Sequence, residues 1–198
     1  MDITTEEILE FWFQYSAPSA ETSQRWFISD PEFDKEIKTK FGAQIEAALE
    51  QDIPADELSA REALAVVILL DQFTRNIFRK TARAFAGDAK ALAVADAMVE
   101  SGRDKELSIT ERVFLYMPYQ HAEDIAVHDK SIKIFTVLHA EAPENMKERA
   151  ASNLDYAKRH RDIIARFGRF PHRNAVLGRE PTEEEKQFLD GGGASFGQ

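Results

Sequence analysis

At four places a serine or threonine is followed three residues later by glutamate, the spacing of the capping box that begins many helices. The pairs are Thr4 and Glu7, Ser59 and Glu62, Ser108 and Glu111, and Thr182 and Glu185. In such a box the hydroxyl oxygen accepts a bond from an unpaired amide, and the carboxylate accepts one in return. No stretch alternates apolar and polar residues for long enough to indicate a sheet. The sequence therefore predicts an all-α protein.

Other local signals divide the chain into helices. Asp30 before Pro31 is a further helix start, while Gly102 and Gly168 are suitable helix ends. Pro118 is expected to break or kink the helix that contains it, and the apolar run ALAVVILL at 63–70 is expected to form a buried central helix. The apolar stripe of the helix that follows Pro31 consists of Phe33, Ile37, Phe41, Ile45 and Leu49. The predicted helices are 4–16, 20–28, 31–50, 60–73, 87–101, 108–126, 129–141, 144–167 and 182–190.

Short connections between these helices favour a compact antiparallel helical array. The chain has 198 residues, of which 43% are hydrophobic, enough to fill a sizeable core. No low-complexity linker separates parts of the chain. We therefore predict a single all-helical domain over residues 1–190 and a flexible C-terminal tail, GGGASFGQ, over residues 191–198.

Composition also excludes several classes of function. The sequence has no cysteine, which excludes disulfides, thiolate metal sites and cysteine nucleophiles and fits a cytoplasmic location. A formal net charge of −10 argues against general nucleic-acid binding. The longest apolar run is too short to span a bilayer, and the acidic N-terminus is not typical of a signal peptide. We predict no nucleic-acid partner, no membrane partner, no metal and no cofactor, and the oligomeric state is left open.

Positive charge is concentrated in two segments of this acidic chain. Residues 158–179 carry a net charge of +6, and residues 71–83 carry +3. Forked guanidinium groups suit a small anion such as a phosphate or a carboxylate. The alternative is that these arginines bind acidic side chains within the protein itself.

The two basic segments resemble each other. Each has a phenylalanine shortly before an arginine–asparagine pair, Arg75-Asn76 in the first and Arg173-Asn174 in the second. Arginine supplies charge and asparagine can donate and accept, so the pairs suit an anion with a nearby hydroxyl. The alternative is that both asparagines cap the next helix and both phenylalanines, Phe73 and Phe170, belong to the core.

A third segment, 116–124, contains the candidate general base. His121 has a side chain that titrates near neutral pH, and Glu123 could orient it. His121, Asp124 and His128 would share one helix face, a spacing compatible with a metal, but the pattern is too weak to predict one. His160, within KRHRD, is interpreted as covering a helix face.

These motifs together resemble one family of bacterial proteins. In order they are FWF, RWF followed by D-x-x-FD, LLDQF-x-RNIFR, ARAFA-x-D, ER-x-FLYMP, H-x-E and RFGRFPHRN-x-x-LGR. This set, spread from Ile8 to Leu189, resembles domain of unknown function number 924. The resemblance implies a fold similar to the tetratricopeptide-like (TPR-like) helical proteins, and it carries over no catalytic residue. Thr74 stands where the family usually has proline, and Lys80 where it usually has glycine.

We therefore expect the three segments to converge on one cleft that binds a small anionic molecule or an acidic peptide. One alternative is a hydrolase or transferase that acts on a phosphorylated or carboxylated metabolite. Another is a self-associating protein with an exposed aromatic patch at Trp12 and Trp26. The catalytic candidates are His121 and Glu123. The predicted ligand-binding residues are Asp71, Gln72, Arg75, Asn76, Arg79, Tyr116, Arg166, Arg169, His172, Arg173 and Asn174.

Overall fold

The computed structural model describes residues 4–16, 24–26 and 28–193, and within these ranges the chain forms helices and no strand. This confirms the all-α prediction; the predicted helix at 20–28 lies mostly outside the described residues. A π-helical segment, Ile68–Phe73, and several short 3₁₀ turns lie between the α-helices. The α-helices are α1 (Thr5–Phe13), α2 (Pro31–Glu50), α3 (Ala60–Val67), α4 (Thr74–Ile77), α5 (Asp88–Ser101), α6 (Ile109–His121), α7 (Ile125–Glu141), α8 (Lys147–Phe167) and α9 (Glu183–Asp190).

Side-chain caps begin these helices where the sequence predicts them. All four capping boxes are formed in both directions. Asp30 accepts bonds from the amides of Glu32 and Phe33, at 2.9 and 3.4 Å. Gly102 and Gly168 end α5 and α8 with φ of 74° and 69°, a left-handed conformation that glycine adopts without steric cost.

The boundary between α6 and α7 differs from the prediction. Helix α6 continues through Pro118 and ends at His121, before the predicted end at 126. Helix α7 then begins at Ile125 instead of 129, because the carboxylate of Asp124 accepts bonds from the amides of Ala126 and Val127. The predicted ends here missed an acidic N-cap that competes with helix continuation.

The described residues form two compact units, which divide between Glu106 and Leu107. In the first unit, α3 packs against α1 and α5, and the π-helical segment packs against α2. Its core includes Trp12, which is 2% exposed, and the rings of Phe41 and Phe73, whose centroids are 5.1 Å apart. The run ALAVVILL is buried here as expected, apart from the half-buried Val66.

In the second unit, α7 packs along α8, and α6 packs against both of them. The C-terminal helix α9 packs near the 3₁₀ turn Pro171–Arg173, and the ring of Phe188 lies 5.0 Å from that of Phe167. The prediction of one domain over residues 1–190 stays a prediction. Of the predicted tail, residues 194–198 lie outside the described part. None of the described helices is both long enough and apolar enough to cross a membrane.

Candidate functional site

The first basic segment begins inside the π-helical segment. Asp71 is fully buried there, and Gln72 donates a hydrogen bond to its carboxylate at 2.5 Å. In a π-helix the backbone bonds span five residues instead of four, and such segments occur frequently at functional sites. Asp71 and Gln72 thus lie in a type of helical segment that is typical of functional sites.

Arg75 follows on α4 and lies between two carboxylates. Its Nη1 is 3.0 Å from Oδ1 of Asp71 and 2.9 Å from Oδ1 of Asp88. Nη1 also donates to the backbone carbonyl of Asp71 at 2.8 Å. Burial lowers the pKa of Arg75, but the two carboxylates raise it above its ordinary value on balance. Arg75 is therefore a buried cation held by internal acids.

The next polar residues of this segment also bind an acid from α2. Asn76 donates to Oδ1 of Asp34 at 2.7 Å, and Nε and Nη2 of Arg79 donate to Asp34 at 2.6 and 3.1 Å. Arg83 pairs with Glu46 at 2.5 Å. These contacts match the alternative in which the arginines bind acids inside the fold. Ligand binding by Asp71, Gln72, Arg75, Asn76 and Arg79 stays a prediction.

One departure from the family pattern has a structural counterpart in this segment. Lys80 has φ of 58°, in the left-handed region that favours glycine, and glycine is what the family usually has at this position. Thr74, where proline is usual, donates its hydroxyl to the carbonyl of Leu70 at 2.7 Å. Thr74 directly follows the π-helical segment, and Lys80 lies three residues after the end of α4.

In the second unit, Glu123 binds the segment that contains Phe170 and Arg179. Its oxygens accept bonds from Nη1 and Nη2 of Arg179, at 2.5 and 3.0 Å, and from the amide of Phe170 at 2.8 Å. Burial raises the pKa of Glu123, but these bonds, with the charges of Arg179 and Arg173, lower it below its ordinary value on balance. Both oxygens of Glu123 are thus engaged, and its role in orienting His121 stays a prediction.

Two further arginines of the second basic segment bind the acidic helix α9. Nε and Nη2 of Arg169 donate to the two oxygens of Glu185, at 2.6 and 2.8 Å. Nε of Arg166 donates to Glu184 at 2.9 Å. The hydrogen bonds from Arg169, with the helix cap at Thr182, lower the pKa of Glu185 to about 2. These two arginines therefore bind helix α9 of the same chain.

Three of the five histidines of the chain lie around Phe170, and a fourth lies beside one of these three. The Phe170 ring centroid is 6.0 Å from that of His128, 5.8 Å from that of His160 and 5.5 Å from that of His172. The His121 ring is 6.4 Å from that of His160. We call His121, His128, His160 and His172 the histidine cluster. Phe170, which precedes the second arginine–asparagine pair, thus contacts three imidazole rings.

Two members of the histidine cluster are buried and neutral. His128 is fully buried, and His160 is 3% exposed. Burial lowers the pKa of both, and the positive charges of neighbouring groups, including Arg173, lower it further; that of His160 falls to about 3. The sequence interpretation of His160 as a residue that covers a helix face is wrong, because α8 turns this side chain into the interior.

Arg173 lies beside the histidine cluster. Its side chain is buried, and its guanidinium carbon is 4.6 Å from the Phe170 ring centroid. Asn174 is also buried, and its oxygen accepts a bond from Nε of Arg179 at 3.0 Å. Asn174 therefore positions the side chain of Arg179. It does not cap the start of a new helix, contrary to the alternative considered in the sequence analysis.

The structure thus brings together some of the predicted residues and adds others. His172 and Arg173 contact Phe170, and His121 lies beside His160. Sequence reasoning placed neither His128 nor His160 in this group, and it considered His128 only as a possible metal ligand on one helix face with His121, although the two lie on different helices. The positions of His128 and His160, seven residues after His121 and seven before Phe167, on helices that pack together, gave no motif to recognise. Tyr116 is fully buried, and its hydroxyl accepts a bond from Nε of Arg112 at 2.9 Å.

The sequence suggested an exposed aromatic patch at Trp12 and Trp26, but Trp12 is not exposed. Trp12 is buried, and its carbonyl accepts a bond from the indole of Trp26 at 2.8 Å. Trp12 therefore offers no exposed surface for the self-association considered as an alternative. Within the ranges the structure describes, no three His, Cys, Asp or Glu side chains form a group able to hold a metal ion.

The fold and this site describe an all-helical protein with a buried cluster of imidazoles next to an arginine. The family model of bacterial proteins of unknown function (DUF924) matches residues 8–193, and the chain belongs to this family. It is also similar to a solved structure, that of the protein of unknown function ATU0120 from Agrobacterium tumefaciens. The two are 37% identical with a TM-score of 0.80, and the match covers 94% of this chain and 97% of that one. None of the curated proteins compared with the sequence matches it.

Proposed function

We propose that the protein binds a small anionic molecule at the histidine cluster. The observation that carries this proposal is the arrangement around Phe170, where buried neutral imidazoles lie beside the guanidinium of Arg173. Polar groups that can both donate and accept, next to a fixed positive charge, suit an anion better than a cation or an apolar molecule.

Electrostatics in the second unit support an anion. The charge of Arg173 lowers the pKa of His128, His160 and Glu123, so its field reaches each of these groups. A bound anion would oppose that field and raise the pKa of the imidazoles. Because the lowered pKa values keep His128 and His160 neutral at pH 7, the fixed charge of Arg173 supplies the attraction for the anion at this pH.

The contacts of helix α9 favour a small molecule over an acidic peptide. Arg166 and Arg169 are two arginines of the second segment that are at least partly exposed, and both bind glutamates of α9. An acidic peptide would have to displace Glu184 and Glu185 from them. A small anion at the histidine cluster leaves the ion pairs of Arg166 and Arg169 with α9 intact. A TPR-like arrangement of helices and a cytoplasmic location remain part of this proposal, on the basis of the family resemblance and the absence of cysteine.

Calorimetric titration with two simple anions, propionate and propyl phosphate, tests the proposal. We expect at least one of these anions to bind the unaltered protein at pH 7. Arg173→Gln should weaken that binding roughly tenfold or more, because a charge-assisted hydrogen bond is lost. Arg173→Lys keeps the charge and should retain part of the affinity.

The matched control is Arg159→Gln, which removes one exposed positive charge from the same unit, where Arg159 pairs with Asp155. This variant should bind like the unaltered protein. Binding of neither anion, or equal losses in the Arg159 and Arg173 variants, would show that the histidine cluster is not an anion site. Circular dichroism of each variant verifies that it remains folded.

A further inference from the structure

The hydrogen bonding of His128 fixes which of its ring nitrogens carries the proton. Its Nε2 is 2.8 Å from the carbonyl oxygen of Ala122. A carbonyl only accepts, so Nε2 is the donor, and Nδ1 of the neutral ring carries a lone pair. Within the described residues Nδ1 has no hydrogen-bond partner, and it is buried. His128 therefore presents an unused acceptor in the interior.

Ser131 presents a second unused group on the same helix face. It lies one turn after His128 on α7, is fully buried, and its hydroxyl has no hydrogen-bond partner among the residues the structure describes. Buried polar groups are nearly always hydrogen-bonded, so two neighbouring exceptions on one face need a reason. A ligand that supplies the missing bonds is such a reason.

These two groups lie next to the proposed anion site. The His128 ring and the Arg173 guanidinium both pack against the Phe170 ring, at 6.0 and 4.6 Å from its centroid. A ligand held near Arg173 by its anionic group could therefore also reach the face of α7 that carries His128 and Ser131.

The chemistry of the second ligand group follows from these partners. It must donate to the lone pair of His128 Nδ1 and can accept from the hydroxyl of Ser131. A hydroxyl group does both, whereas an ammonium group has no acceptor and would be repelled by Arg173. We propose, on the basis of the proposed function, that the bound anion also carries a hydroxyl group. This hydroxyl donates to His128 and accepts from Ser131. The ligand is then a small hydroxy acid, with either a carboxylate or a phosphate as its anionic group.

Two matched pairs of probes test this inference by calorimetry. Lactate differs from propionate by one hydroxyl, and glycerol phosphate differs from propyl phosphate by hydroxyls alone. In the unaltered protein the hydroxylated member of one pair should bind roughly tenfold or more tightly, since a site built to bond a hydroxyl rejects the analogue without it. The pair that shows this preference identifies the anionic group.

Two variants assign the preference to the named side chains. His128→Gln keeps an amide donor for the Ala122 carbonyl and removes the Nδ1 acceptor, and Ser131→Ala removes the hydroxyl. Each should reduce the preference to about threefold or less and leave the affinity for the probe without a hydroxyl unchanged. Ser152→Ala, at an exposed serine of α8, should keep the full preference. If His128→Gln does not fold, Ser131→Ala still carries the test.

The outcomes separate this inference from the proposed function. Equal binding of both members of each pair would overturn the hydroxyl inference and leave the anion site standing. Binding of none of the four probes would overturn the anion site itself, and with it this inference. A preference that survives both variants would show that other residues contact the hydroxyl.

Discussion

Glu123 and Arg179 form a two-point ion pair, in which both carboxylate oxygens face the two terminal guanidinium nitrogens at 2.5 and 3.0 Å. Arg179 also donates to Asn174, and Glu123 accepts from the amide of Phe170. The connection between α6 and α7 is thereby tied to the segment that carries Phe170. This ion pair holds the centre of the histidine cluster in place.

Replacement of Glu123 should therefore loosen the segment that it binds. We expect Glu123→Gln to reduce the free energy of unfolding by about 1–3 kcal/mol, because Arg179 loses its charged partner in a partly buried place. Urea denaturation at pH 7.5 measures the change. Glu184→Gln, which removes an exposed partner of Arg166, is the control and should change little. Equal losses in both variants would contradict a special role for Glu123.

Acid should destabilise the protein before its carboxylates titrate. The pKa of His160 is about 3 in the folded protein and near 6.5 when the chain is unfolded. Above pH 6.5 the ring is neutral in both states, and below it the unfolded chain takes up the proton first, so stability falls as the pH falls towards 3. Between pH 6.5 and 4.5 the loss from His160 should be about 2–3 kcal/mol.

Urea denaturation across this pH range, with an Asn variant, tests this expectation. His160→Asn keeps a donor for the carbonyl of Tyr156, which the ring bonds at 2.9 Å, but cannot take up a proton. Its stability should fall less steeply from pH 6.5 to 4.5, with the remaining slope due to His128, whose pKa is also lowered. His139→Asn controls for the loss of a histidine outside the cluster. The same slope in His160→Asn as in the unaltered protein would exclude His160 as the source.

Local signals predicted the fold well because they act within a few residues. Each capping box consists of a hydroxyl, an amide and a carboxylate within one turn, so Ser59 and Glu62 can be recognised without knowledge of the rest of the chain. The α6–α7 boundary failed because Asp124 could either continue a helix or cap one. The family assignment was confirmed because its motifs are spread over nearly the whole chain.

The histidine cluster could not be predicted in the same way. His128 lies more than 30 residues before His160 and Phe170 in the sequence, and it meets them because α7 packs along α8. The sequence shows that arginines are present but not which acids reach them. Asp34 and Asp88, which bind Arg79 and Arg75, belong to no basic segment. Tertiary packing decides these partners, and the spacing of residues does not encode it.

The close approach of Gly87 to the π-helical segment gives a steric prediction. A Cβ at Gly87 would lie 2.3 Å from the carbonyl oxygen of Leu70, with no relief from a flexible side chain. Gly87→Ala should therefore destabilise the protein by about 1–3 kcal/mol, the usual effect of overpacking. Gly42→Ala, in α2 with no atom within 4 Å of the new Cβ, should stabilise it by about 0.5–1 kcal/mol. Thermal unfolding compares the two, and equal effects would contradict the steric reason.

Two buried hydroxyls should respond differently to removal. Ser131 has no partner for its hydroxyl within the described residues, so Ser131→Ala should leave the stability of the protein without ligand unchanged or slightly raised. Thr74 donates to the carbonyl of Leu70, so Thr74→Val should cost about 1 kcal/mol. Urea denaturation of both variants makes the comparison. A loss for Ser131→Ala as large as that for Thr74→Val would mean that the Ser131 hydroxyl is already bonded.

The π-helical segment determines the direction in which the side chains of the following helical residues point. Each residue advances an α-helix by about 100°, so a deletion that restored ordinary α-helical bonding would turn the downstream side chains by roughly that angle. Arg75 would then point away from Asp88, and Arg79 away from Asp34. Chain length between Ile68 and Phe73 is thus as strictly determined as residue identity. A single-residue insertion or deletion there should therefore separate both arginines from their acids and destabilise the protein.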